Sequence, residues 1–403
     1  MRLGDICSKI GSGATPRGGK EAYSASGIPI IRSQNVLDWS FSSNGLAYLN
    51  DEQARTLSNV EVHQGDILLN ITGDSVARAC IVPSDVIPAR VNQHVAILRP
   101  KEKANATFIL AWLQTNKDLL LKLASSGATR NALTKRMLEG LDINLPSIDI
   151  QNHIAALISL IQSKINLNIK LNGYLLELAT TRFEQALFKS NRVVRLGDIV
   201  KLEDSKRVPL NSRDRDARKG PYPYYGATSI MDYVDDYLFD GIRVLLGEDG
   251  SVIDESGRPI LQYVWGKYWV NNHAHILAAA SDYSLEAIYI ALQRTPISHI
   301  VTGAVQRKIS QRNLNKLKLE MPDAKSLEYL QDIFAAYRCN CEENRGLVSL
   351  RDALLPKLMS GEIDVSKIDV AQLNSHLEKR KAAASVLSLI FPIALPGLWS
   401  LMQ

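Results

Sequence analysis

Cysteine is scarce in this chain: there are four in 403 residues, and Cys7, Cys80, Cys339 and Cys341 form no Cys-x-x-Cys pair. That excludes a disulfide-built fold, offers no set of zinc thiolates, and fits a reducing, cytoplasmic setting. A phosphate-cradling loop is also missing, because Gly11-Ser12-Gly13 and Gly247-Glu248-Asp249-Gly250 lack the Gly-Lys-Ser/Thr ending. No Asn-Pro-Pro-Tyr-type segment for amino methylation is present; Asn144-Leu145-Pro146-Ser147 lacks the second proline and the aromatic. The opening Met1-Arg2-Leu3-Gly4-Asp5-Ile6 has an early acidic residue and no long apolar region of the secretion-signal type. Asp204-Ser205-Lys206 has the spacing of half a nuclease metal site without an upstream acidic partner, and His273-Ala274-His275 has no third or fourth ligand in sight. These two segments read as a solvated loop and ordinary strand residues, so neither a catalytic group nor a metal site is expected.

What is present is ordinary for a folded protein of two or three domains, with 46% hydrophobic residues. Lys and Arg exceed Asp and Glu by 47 to 42, a formal charge of +5, which is compatible with a polyanionic partner without requiring one. From Ala382 to Met402 there is no charged residue. That run is long enough for a bilayer, but Pro392 and Pro396 interrupt it and no second apolar segment accompanies it, so an irregular tail without a membrane role is expected.

The chain is written twice. Arg2-Leu3-Gly4-Asp5-Ile6 recurs as Arg195-Leu196-Gly197-Asp198-Ile199, and Val91-Asn92-Gln93-His94 as Val270-Asn271-Asn272-His273. From Gly127-Ala128 and Gly303-Ala304 onward an offset of 176 holds without a gap through Arg136/Arg312, Pro146/Pro322, Asn168/Asn344 and Leu178/Leu354. A register kept that long points to an internal duplication. Each copy opens with short β-branched runs broken by glycine and proline: 27–36, 65–73 and 91–100, then 233–247, 260–269 and 270–278. Helical spacing at 107–123 and 284–293 makes each copy a mixed α/β unit.

After Pro146 and Pro322 the period changes. Ile154, Ile158, Ile161, Ile165, Asn168, Leu171, Leu175 and Leu178 step by three and four, matched by Leu330, Phe334, Tyr337, Cys341, Asn344, Leu347 and Leu354. A seam of this length requires a covering partner. The fold expected is therefore two globular α/β heads alternating with two long helices that pair as an antiparallel coiled coil, in a pseudo-twofold repeat. Equivalent central positions of such a pair meet, so Asn168 and Asn344 are expected in contact, fixing register. A helix from about residue 149 to 189 is about 60 Å long, more than one turn of DNA, so two heads on such a spacer suit an interrupted target.

The paired Arg-Leu-Gly-Asp-Ile openings, the Val-Asn-Gln-His and Val-Asn-Asn-His segments, the Gly-Ala…Leu-Thr-Lys-Arg-Met-Leu…Leu-Pro block and Ser360-Gly361-Glu362-Ile363 resemble, in order and duplication, type I restriction-modification specificity subunits. The resemblance covers about residues 1 to 370. It implies a target-recognition domain at 1–146, a central helical region at 147–190, a second recognition domain at 191–322, a C-terminal helical region at 323–365, and a tail of unknown role at 366–403. It implies a non-catalytic subunit that reads a bipartite target in double-stranded DNA, with two methyltransferase subunits and two restriction subunits as partners. S-adenosylmethionine, ATP and Mg2+ would then belong to those partners and no cofactor to this chain. The alternatives are a specificity chain serving a fused nuclease-methyltransferase, a coiled-coil adaptor with two protein-binding heads, and an enzyme using Glu248, Asp249, Asp254 and Glu255.

Arg, Lys, Asn and Gln have the geometry to read base edges, whereas phosphate contacts set affinity. In the first head the candidates are Arg17, Lys20, Arg32, Gln34, Asn35, Arg78, Arg90, Asn92, Gln93 and His94, with Arg130, Lys135 and Arg136 as a basic cluster before the helix. In the second they are Arg213, Arg215, Arg218, Lys219, Tyr222, Tyr224, Tyr225, Asn271, Asn272 and His273, with Gln306, Arg307, Lys308 and Arg312. Tyr224-Tyr225-Gly226 resembles a segment common in recognition domains of this family. The tyrosines either contact DNA or pack a core, and the Asn-His segment, present in both copies, suits a structural or backbone-contacting role as well as base contact.

Overall fold

The structure is a computed structural model, which describes residues 1–16, 18, 22–125, 131–303 and 306–367. It contains two compact units, one formed by Met1–Lys170 with the segment from Cys341 onward, the other by Leu171–Asn340. Their boundaries fall inside two long helices, Ile148–Lys189 and Tyr329–Ser360.

The first unit is built on an antiparallel sheet in the order Cys7–Ser12, Val95–Pro100, Ile67–Asn70, Ala79–Ile81. Alternation across a strand sends successive side chains to opposite faces. In both central strands each face is apolar and covered. Ile67, Leu69, Ala96 and Leu98 join a core with the helix Ala106–Thr115, while Leu68, Val95 and Ile97 join a second core. That second core lies against a smaller sheet, Ala47–Leu49, Ile28–Ile31, Ala89–Val91, Glu61–Val62, whose middle pair is parallel.

The second unit repeats the plan. Its main sheet runs Val200–Leu202, Ala274–Ala279, Arg243–Gly247, Leu261–Val264, and its smaller one Ile230–Val234, Lys219–Tyr225, Lys267–Val270, Phe239–Asp240, again with a parallel middle pair. Val244, Leu246 and Leu277 face the helical core, whereas Leu245, Ala274 and Ile276 face the small sheet.

The duplicated opening motif is structural. Leu3–Ile6 and Leu196–Ile199 are short helices, and the first and last residue of each is buried. Leu3 N donates to Leu141 O and Leu196 N to Leu317 O, both at 2.8 Å. Glycine suits this motif because a Cβ at Gly197 would stand 2.9 Å from the Asn315 Cβ, too close without a shift, and one at Gly4 would stand 3.2 Å from the Glu139 carbonyl, a tight contact. The caps recur as well: Asn105 accepts from Phe108 N at 3.1 Å and Ser284 from Ala287 N at 3.2 Å. The expected first-unit helix over 107–123 is instead two, Ala106–Thr115 and Lys117–Ser125, because the Asn116 amide turns back to the Trp112 carbonyl at 2.8 Å and ends the first. Residues 213–217 lie in the helix Ser212–Ala217, capped where Asn211 accepts from Asp214 N at 2.9 Å, and Lys219 opens the strand Lys219–Tyr225.

Among the described residues no helix is long and apolar enough to cross a membrane. The apolar run from Ala382 lies outside the described residues.

Leu245 is fully buried where strand and small sheet meet, whereas Leu119 is 43% exposed. Denaturant titration is expected to show Leu245→Ala losing about 3 kcal/mol of stability and Leu119→Ala less than about 0.5 kcal/mol. Equal losses would contradict the two-faced burial of the central strands.

Candidate nucleic-acid interface

At one end of each main sheet the last rung of the central strand pair closes on an Asn-x-His turn. In the first unit the Asn92 side chain accepts from His94 N at 3.1 Å, and Ile71 N donates to His94 O at 3.0 Å. In the second, Asn271 accepts from His273 N at 2.8 Å, and Glu248 N donates to His273 O at 2.8 Å. Facing each histidine is a second turn whose glycine is left-handed, Gly73 at φ +75° and Gly250 at φ +80°. Gly73 N donates to Asn131 O, and Gly250 N to Arg307 O, so the segment entering the basic cluster is tied to the same tip in both units.

The structure separates the candidate residues by what holds them. Asn92 and Asn271 are buried and shape the turn. Asn35 is buried, and its amide donates to the carbonyls of Ser42 at 2.9 Å and Asn44 at 3.1 Å; it holds a loop together and does not project as a reader. Arg90, expected to reach DNA, is also buried, with its guanidinium on the Ala54 and Ala89 carbonyls and Glu61. Arg32 and Gln34 both donate to the Gly45 carbonyl, and Arg32 lies over the Tyr23 ring. Tyr224 is buried with its hydroxyl on the Leu210 backbone at 2.9 Å, and Tyr225 packs edge-on against Tyr268, so of the two readings for these tyrosines the core one holds. Tyr222 is half-buried beside Tyr237.

Charge pairing removes further cations. Arg215 and Lys219 meet Asp232 at 3.3 and 2.7 Å, and Arg218 meets Asp235 at 2.9 Å while covering the Trp269 ring. Exposed positions are Arg78, Gln93, Lys135 and Arg136 in the first unit and Arg213, Asn272, Gln306, Arg307, Lys308 and Arg312 in the second. Lys135 reaches Glu139 at 3.5 Å and Lys308 reaches Glu248 at 3.2 Å; the side chains of Arg78, Arg136, Arg213, Arg307 and Arg312 have no ion-pair partner among the described residues. Arg17, Lys20 and Arg130 lie outside the described residues. Asn168 and Asn344 are brought together, the Asn168 amide donating to the Asn344 carbonyl oxygen at 2.9 Å.

The structure also gathers Asp204, Glu248 and His275, which the sequence leaves far apart, with donor atoms within 4.8 Å of one another. The donors are already engaged. His275 Nδ1 shares a proton with Asp204 Oδ2 at 2.6 Å and Nε2 donates to the Ile309 carbonyl at 2.9 Å, leaving no ring lone pair for a metal. Asp204 also accepts from Ile276 N at 2.9 Å and from the Gln311 amide at 2.6 Å, while Glu248 accepts from Arg207 at 2.6 Å. The cluster stitches the main sheet to the segment carrying Arg307 and Arg312. Burial alone would raise these carboxyls, but the hydrogen bonds from His275 to Asp204 and from Arg207 to Glu248 outweigh it, and both sit below their ordinary values. Glu203 is lowered in the same way, the bonds from Lys206 at 2.6 Å and Arg243 at 2.7 Å outweighing burial. Asp204, expected in a solvated loop despite the spacing of half a metal site, is instead buried in the short helix Asp204–Lys206, and folding brings it to His275 and Gln311, which spacing in the chain does not report.

The fold is that of a solved type I restriction-modification S subunit from M. genitalium, which matches over 89% of this chain and 95% of its own, with a TM-score of 0.53 at 15% identity. The family model for the type I restriction modification DNA specificity domain matches residues 1–175 and again 189–337, and the chain belongs to that family. A Haemophilus influenzae protein named as a type I restriction enzyme specificity subunit is 30% identical over 127 residues, 32% of either chain. The MjaIX specificity subunit of Methanocaldococcus jannaschii is 22% identical over 411 residues, 91% of this chain and 94% of that one.

Because Glu203, Asp204 and Glu248 bind protons less readily folded than unfolded, their contribution is present above the ordinary carboxylate range and is lost as pH falls through it. Unfolding midpoints of the second unit are expected to drop between about pH 5 and pH 3. Asp204→Asn, which removes one member of a buried ion pair, is expected to lose about 3 kcal/mol at neutral pH and to flatten that drop. A pH profile identical to the wild type would exclude Asp204 as a contributor.

Proposed function

We propose that this chain is the non-catalytic DNA-reading subunit of a type I restriction-modification complex. The observation that carries the reading is that the DNA specificity domain matches twice in one chain. Each unit reads one half of a bipartite, interrupted target in double-stranded DNA. The exposed Arg78, Lys135 and Arg136 in one unit, and Arg213, Arg307, Lys308 and Arg312 in the other, supply phosphate contacts, and Gln93, Asn272 and the two turn histidines lie nearest to base edges.

The two long helices pair as an antiparallel coiled coil in a pseudo-twofold arrangement. Supporting this in the first unit, the Asn168 amide donates to Asn344 at 2.9 Å and to Glu343 at 2.9 Å, Asn344 returns a bond to the Ile165 carbonyl at 3.3 Å, and Lys164 pairs with Glu343. In the second unit the Asn340 amide donates to Asn172 at 2.9 Å, and Asn172 donates to the Tyr337 carbonyl at 3.3 Å. Partners advance along one helix as they recede along the other, and buried amides of this kind disfavour shifted registers. The domain limits are 1–146 and 191–322 for the recognition domains and 147–190 and 323–365 for the helical regions. Two methyltransferase subunits dock on the helical regions and two restriction subunits join them. S-adenosylmethionine, ATP and Mg2+ act in those partners, which places the complex in the cytoplasm.

Co-expression with its methyltransferase partner, followed by mapping of methylated adenines, is expected to give one interrupted motif that depends on this chain. Arg307→Ala with Arg312→Ala is expected to weaken DNA binding on all sequences and to reduce the salt slope by about 1 to 2. An assembled complex that methylates without sequence preference, or DNA binding that does not respond to salt, would overturn the assignment in favour of a protein-binding adaptor.

A further inference from the structure

The Asn-x-His turn occurs in both units on the same backbone, but its ring is held differently. His94 Nδ1 meets the Thr72 hydroxyl at 2.6 Å, and its Nε2 accepts from the Gln93 amide at 3.0 Å. The Gln93 carbonyl oxygen in turn accepts from the Thr15 hydroxyl, so the ring is closed into an uncharged chain of four side chains. His273 Nδ1 meets the Asp249 carboxylate at 2.6 Å, and Asn272, at the place of Gln93, makes no side-chain hydrogen bond to the ring. A carboxylate only accepts, so the Nδ1 proton belongs to the ring. Nε2 has no partner among the described residues, and 45% of the His273 side chain is exposed.

From this difference we infer that His273 donates from Nε2 to an acceptor atom of the target DNA, a phosphate oxygen or the N7 or O6 of guanine, with Asp249 as its positioning residue. The inference rests on the reading of this chain as a DNA-specificity subunit. Donation from Nε2 needs a second ring proton, and Asp249 balances that charge, which the neutral Thr72 does not. The other charged groups around the turn are Glu248, Arg207 and Lys308, and they are joined to one another, Arg207 to Glu248 at 2.6 Å and Lys308 to Glu248 at 3.2 Å. Asp249 is thus the carboxylate left to His273. Arg207 also donates to the Asn272 and Ala274 carbonyls at 3.3 and 2.8 Å, which fixes the loop from which the ring projects. Its counterpart His94 has both ring nitrogens engaged and takes no charged part.

The test uses the complex of the full chain with its co-expressed methyltransferase, a duplex carrying the mapped motif and a duplex of scrambled sequence. His273→Ala is expected to weaken binding of the motif duplex about tenfold. Asp249→Thr, which copies the first unit's partner into the second, is expected to weaken it less. Equal loss on both duplexes with an unchanged methylation motif identifies a phosphate acceptor; a motif that becomes degenerate at one position of one half identifies a guanine. Wild-type affinity and motif in both His273→Ala and Asp249→Thr would overturn the inference while leaving the specificity assignment standing. A wild-type complex with no sequence preference would remove both.

Discussion

The structure depends on one antiparallel strand pair in each unit that is buried on both faces. Ile67–Asn70 with Val95–Pro100, and Arg243–Gly247 with Ala274–Ala279, are held between a helical core and a small sheet. A strand covered on both faces cannot slip by one residue without moving its apolar set, and because both faces here are apolar, register is specified by the ends of the strands. Those ends are polar and glycine-turned: Asn92 and Gly73 in one unit, Asn271 and Gly250 in the other. The same hydrogen bonds that lock the pair therefore also aim the two histidines and the basic segments tied to them. The basic segments are coupled to the fold at this rung, since the segments bearing Arg307 in one unit and Lys135 and Arg136 in the other enter it through backbone bonds to the glycine turn and the strand end.

The two copies keep the frame and change its polar contents. At the start of the inner strand the first unit places Asp66, fully buried, accepting a bidentate bond from Arg99 at 2.8 and 2.7 Å. The second places Arg243 there, donating to Glu203 at 2.7 Å. The sign of the charge is reversed and a pair is retained, because each arginine meets a buried carboxylate, Asp66 in one unit and Glu203 in the other. The Asp204–His275–Gln311 network is likewise particular to the second unit: at the place of Ile309, whose carbonyl accepts from His275, the first unit has Leu133, whose N donates to the Ile71 carbonyl in the same way that Ile309 N donates to Glu248. Backbone rungs are shared and side-chain networks are not, which is the pattern expected where two heads must be alike in shape and different in what they recognise.

Much of this frame was legible in the sequence. The offset of 176 survives in the caps and rungs, because those residues are selected by backbone geometry that residue type reports directly. Asn168 and Asn344 are in contact because the period of three and four places both in the apolar stripe. The interface was less legible. Arg215, Arg218 and Lys219 looked like free cations, and their partners Asp232 and Asp235 come from a neighbouring strand that composition cannot pair with them. Arg90 and Asn35 have the chemistry of DNA readers, but they point into the unit and satisfy carbonyls there, Arg90 from a strand, where a one-residue error reverses the facing, and Asn35 from the end of a short 3-10 helix. Thr72 went unread, and Asp249 was read only as one of an acidic group, for a simpler reason: glycine marks their turns, and only the folded chain shows which histidine each turn faces.

Division of labour at the tip bears on how such a protein changes what it recognises. A left-handed glycine and an asparagine that closes on its own backbone fix the turn without using any outward-facing side chain. The residues beside them, Thr72 and Gln93 in one unit and Asp249 in the other, meet the histidine through their side chains, while Asn272 makes no side-chain hydrogen bond to the ring. Replacing a hydroxyl by a carboxylate at this place alters the charge a ring is able to carry while leaving the strand pair, its two cores and the caps as they were. The polar contents of the tip differ between two copies of one fold because the bonds that close the turn and the side chains around each ring meet at the rung but are not the same.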